Sequence, residues 1–86
     1  MRRYMKLIKH FGARNIKLKA VQSLARLQDS VLKNALGGGS VSDIVNDMAE
    51  LQIYSELLLL VYDIEDSEVQ RAVSRKMERL MDRVKR

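Results

Sequence analysis

The sequence predicts an all-α chain, a helical bundle built on a central antiparallel helix pair. Three observations predict it. Apolar residues recur at helical spacing through most of the 86 residues, and no segment alternates with the two-residue period of a strand. Proline is absent, so nothing in the backbone chemistry interrupts a long helix. One glycine triplet, Gly37-Gly38-Gly39, divides two long periodic segments, and so short a turn favours an antiparallel return.

The elements follow in order. Tyr4, Ile8 and Phe11 hold helical spacing over a short first helix that ends near Gly12. A second helix is expected over about 14–36, with Leu18, Val21, Leu24, Ala25, Val31, Leu32 and Ala35 as its apolar positions. The glycine triplet closes it, because glycine takes the left-handed conformation without steric cost. Ser40 with Asp43 three residues on is a capping-box-like start for a third helix, over about 41–63. Ile44, Val45, Met48, Leu51, Leu58 and Val61 mark its expected buried side, and the run Leu57–Leu60 is apolar all round. After the break at DIEDS, Ser67 is the expected cap of a last helix over about 67–85, with Asp66 and Glu68 at its positive end. Val69, Val73, Met77, Leu80 and Val84 give that helix one narrow stripe, suited to docking by a single seam or to a coiled-coil contact.

Composition bounds the rest. At 47% apolar and 31% charged the chain is globular in character, and residues 1–86 are read as a single domain. Without cysteine it has neither disulfides nor thiolate metal sites, which fits a cytoplasmic setting. Its longest apolar stretch is far below the ~20 residues that span a bilayer, so no membrane association is expected. The basic start MRRYMKLIKHFG lacks the apolar core of a signal peptide and is read as part of the folded protein. The net charge of +5 is unevenly spread. Residues 1–36 carry nine Lys/Arg and one acid, 40–70 carry eight acids and no Lys/Arg, and 71–86 carry seven basic residues against two acids. Such blocks can pair within a bundle or between subunits, or attract a polyanion. Every apolar position of the third helix cannot be covered by the second alone, so a homo-oligomer, a dimer or higher, is expected.

The segment with the sharpest chemistry reads NDMAE, at 46–50. Asp47 and Glu50, three residues apart, lie on one side of a helix. Magnesium takes carboxylates, substrate phosphates and water as ligands, and two such acid pairs on facing helices can converge on one ion. The facing stretch of the second helix reads VQSLARLQ at 21–28 and holds no acid.

This layout resembles the MazG-like all-α nucleoside triphosphate pyrophosphohydrolases, in particular their small phage and prophage members. NDMAELQIYSELLLLVYDI at 46–64 and RKMERLMDRV at 75–84 carry the resemblance, which extends from about His10 to Val84. The family's signature is E-E-x-x-E on one helix and E-x-x-D on the next. The second motif falls on Asp47 and Glu50, with the two acid types exchanged. The first falls on Gln22, Ser23 and Arg26, none of which is a carboxylate. Arg26 sets a fixed positive charge where a cation should sit. The resemblance therefore implies the fold, while the departure implies a degenerate site, with no catalytic residues and no cofactor. Asp47 and Glu50 are then remnants of a metal site, free to pair with Arg26.

The leading expectation is a phage- or prophage-type protein, in a bacterial host cell, that binds another macromolecule such as a host protein. An active or weakened Mg²⁺-dependent pyrophosphohydrolase, using Asp47, Glu50 and Asp29, is the first alternative. The second is a small nucleic-acid-binding protein using Arg2, Arg3, Lys6, Lys9, Arg14, Lys17 and Lys19, by phosphate contacts that salt would weaken. No recognition-helix signature or aromatic platform accompanies that basic set. His10 has no second histidine or cysteine and is not a zinc site. Tyr54 and Tyr62 are read as packing residues with wet hydroxyls, and Glu56 as a candidate for a hydrogen bond between helices.

Overall fold

A computed structural model describes residues 2–85. Among these the chain forms four α-helices: α1 (Arg2–Phe11), α2 (Ala13–Ala35), α3 (Val41–Val61) and α4 (Asp66–Lys85). Each boundary has a local cause. Gly12 takes φ 83° between α1 and α2. Its N–H donates to Ile8 O at 2.8 Å at the end of α1, and its carbonyl oxygen accepts from Ile16 N at 3.0 Å at the start of α2. A side chain at that φ would be strained, so the break belongs to glycine.

The end of α2 is a left-handed turn at Gly37, with φ 92°. Gly37 N donates to Asn34 O at 3.0 Å and Gly38 N to Lys33 O at 2.9 Å, the paired bonds of a Schellman motif. Ser40 then caps α3, its Oγ accepting from Asp43 N at 3.1 Å. The end of α3 repeats the motif without glycine. Asp63 sits at φ 55° while Ile64 N reaches Leu59 O at 2.8 Å. The third helix therefore stops at Val61, two residues before the sequence expectation, because the chain has already turned left-handed at Asp63.

Helix α4 begins one residue earlier than expected, and its cap is not Ser67. Glu68 Oε1 accepts from Glu65 N at 3.2 Å, the carboxylate half of a capping box, and Ser67 Oγ donates to Glu65 Oε2 at 3.4 Å. Acids in the first turn and Arg83 and Lys85 in the last complement the helix dipole.

Helices α2 and α3 form an antiparallel hairpin, the main contact of the molecule, and α1 lies against both. Contacts across the hairpin pair Arg26 with Glu50 and Ser30 with Asp47, which fixes the register. On α2 the inward line is Ile16, Ala20, Ser23, Leu27 and Ser30, at alternating four- and three-residue spacing. Small residues on this line let the backbones approach closely. Only Ile16, Ala20, Ser23 and Leu57 are fully buried among the described residues.

Of the apolar positions along α2, Leu18, Val21, Leu24, Val31 and Leu32 are exposed, because α2 turns its small-residue line inward instead of its larger apolar one. Val45 and Met48, expected on the buried side of α3, are likewise exposed. Helix α4 does not dock along a seam of its own chain: it has no buried residue, and Val69, Val73, Met77, Leu80 and Val84 all face outward. Glu56 is exposed and makes no side-chain hydrogen bond among the described residues; it lines an elbow between α3 and α4 with Leu59, Leu60 and Ile64.

The result is a thin molecule, 46 × 34 × 18 Å, with a radius of gyration of 15.8 Å where a compact chain of this length has roughly 12 Å. No helix among the described residues is long and apolar enough to cross a membrane.

Candidate functional site

The hairpin register brings four polar side chains together at mid-height. Arg26 and Ser30 are one turn apart on α2, and Asp47 and Glu50 are one turn apart on α3. Arg26 Nη1 donates to Glu50 Oε1, forming the ion pair that crosses the two helices. Ser30 Oγ donates to an oxygen of Asp47 in a part-buried position. Each carboxylate of the NDMAE segment thus has a protein partner from the opposite helix.

The electrostatics follow from that pairing. The guanidinium stays charged at any ordinary pH and holds its charge beside Glu50. A divalent ion would have to enter against it. Arg26 and Glu50 keep 57% and 34% of their side-chain surface, so water screens the pair and its contribution to stability is roughly 0.2–1 kcal/mol. The pair is a modest stabiliser that sets a fixed positive charge beside the acids.

The other positions aligned with the acidic motif do not restore it. Gln22 is exposed on the outer side of α2. Ser23 is 1% exposed, and its Oγ has no hydrogen-bond partner among the described residues. Asp29, the remaining acid of α2, bonds Lys33 one turn on, at 3.0 Å. Among the described residues no three of His, Asp and Glu come together in a way that could hold a metal ion.

Beside the ion pair, α1 leans over the hairpin and leaves a cleft of about 380 Å³. Leu7 and Phe11 line one side, Ile16, Ile53, Tyr54 and Leu57 the other, with Glu50 at the rim. Tyr54 therefore faces this cleft, while Tyr62 is exposed under Lys17, whose Nζ lies 4.5 Å from the ring centroid.

The basic set is spread over α1 and the first turns of α2. Arg2, Arg3, Lys6 and Lys9 are exposed along α1, and Arg14 is exposed in the first turn of α2. Lys17 covers Tyr62, and Lys19 lies over the Phe11 ring at 4.7 Å. Both lysines tie helices together by cation–π contact. His10 is exposed and meets Phe11 edge-on at 4.7 Å.

Ser30 is the one member of this cluster that the sequence reading missed. Its signal lay in the register: once residue 26 faces 50 in an antiparallel pair, residue 30 faces 47 or its neighbour. No family model, curated protein or solved structure matches the chain.

Proposed function

We propose that the chain is a catalytically degenerate MazG-like protein, of the phage or prophage type, that acts by binding another macromolecule. The observation supporting this reading is that Arg26 and Ser30 engage the two acids the resemblance assigns to magnesium. A pyrophosphohydrolase of this kind needs its metal to neutralise phosphate charge and to activate water. With Gln22, Ser23 and Arg26 on the facing helix, this chain offers no second pair of carboxylates. What it retains is a scaffold with a large apolar surface, suited to association with its own copies and with a host-cell protein.

The reading is tested by assaying pyrophosphate release from canonical and modified nucleoside triphosphates with Mg²⁺ and with Mn²⁺. No release above the buffer control is expected for any of them. Metal-dependent release that disappears in Asp47→Ala would establish the enzyme instead, with a rearranged site that still uses Asp47.

A further inference from the structure

The side of the hairpin opposite α1 is uncovered. On α2 it carries Val21, Leu24, Gln28 and Val31, at 3-4-3 spacing, and on α3 Val45, Met48, Gln52 and Ser55, at 3-4-3 spacing. The apolar members are 47–62% exposed. No Asp, Glu, Lys or Arg lies on either line. A shallow groove runs along it, with Leu27 and Leu51 on its floor and Val45, Met48 and Gln52 on its wall.

We infer that a second copy of the chain covers this face, hairpin against hairpin, and that the two copies close a shared helical core. The first argument is area. The chain exposes 7275 Å², roughly 2,000 Å² more than a compact monomer of its mass, and a standard interface needs only about 800 Å² per partner.

The second argument is the core. Three buried apolar residues, Ile16, Ala20 and Leu57, are far fewer than a folded chain of this length needs. A chain so poor in core must gain its interior by association as it folds, and its own copy is the partner always present at that moment. The third argument is charge. Two copies of a +5 chain carry a net repulsion that a face without charge avoids, and burying such a face leaves no charge without a partner. The stripe of α4 does not meet that condition, because it is one helix wide and flanked by Arg71, Arg75, Lys76 and Arg79.

The face assignment rests on burial and charge and not on the fate of Asp47 and Glu50. It can fail while the site remains closed, and the site can prove active while the face remains an interface. The test uses the native chain. Light scattering gives its mass in solution, and hydrogen peroxide footprinting gives the rate at which Met48, 56% exposed in the single chain, becomes the sulfoxide. A mass of at least two chains is expected, with Met48 oxidised several-fold more slowly than in the urea-unfolded chain. A folded monomer of 9.9 kDa would overturn the proposal. So would an oligomer in which Met48 oxidises as fast as in the unfolded chain, since a different surface would then hold the copies together.

Discussion

Leu57→Ala is expected to lower stability by about 2–5 kcal/mol, the usual cost of emptying a buried leucine site. Leu57 is 1% exposed and lines the cleft together with Ile16, Leu7 and Phe11. It is therefore where α1, α2 and α3 meet. In a chain of this length the total stability is only roughly 4–13 kcal/mol, so one such cavity removes a large part of it. Urea unfolding followed by circular dichroism reads the effect as a lower midpoint. Leu36, 80% exposed at the end of α2, provides the comparison: its change to alanine should stay within about 0.5 kcal/mol. Equal losses at both positions would mean that the three helices do not meet at Leu57.

The second large effect is expected from Arg26→Glu. The change removes the attraction to Glu50 and sets a like charge beside it, with Asp47 one turn away. Loss of the pair and the new repulsion together should cost about 1–2 kcal/mol, small per contact because both groups are partly hydrated. The informative part is the response to metal. Three carboxylates then face one another across the hairpin, and a divalent ion that binds only the folded state restores stability by mass action. Millimolar Mg²⁺ or Mn²⁺ should raise the melting temperature of Arg26→Glu and leave that of the native chain unchanged. A native chain that gains as much from metal as the variant would show that Arg26 does not close the site.

The elements of this fold were legible in the sequence because their ends are written in single residues. Gly12, the triplet at 37–39 and Ser40 fixed three boundaries by backbone chemistry alone. The turn at Asp63 was not legible, since a left-handed aspartate carries no mark that distinguishes it from one inside a helix. The orientation of α2 was not legible either. Counting apolar side chains favours the line through Leu24 and Val31, whereas close approach of two backbones favours Ala20, Ser23 and Ser30. The second criterion depends on the partner helix, which a single segment does not reveal.

The candidate site was half legible. Spacing alone put Asp47 and Glu50 on one side of a helix, and the resemblance, by aligning Arg26 with the facing motif, made it a candidate partner for either acid. Which acid it takes depends on register to within a single residue. Ser30 was invisible for the same reason. The surface consequences were least legible of all, because the exposure of Val45 and Met48 follows from which face α3 turns toward α2 rather than from their own residue types.

The central claim is that the carboxylates of NDMAE have protein partners in place of a metal. Titrating Mn²⁺ against the native protein, with free Mn²⁺ followed by its electron paramagnetic resonance signal, tests it directly. Millimolar Mn²⁺ is expected to remain free, in native protein and in Asp47→Ala alike. Uptake of one Mn²⁺ per chain by the native protein, abolished in Asp47→Ala, would contradict it.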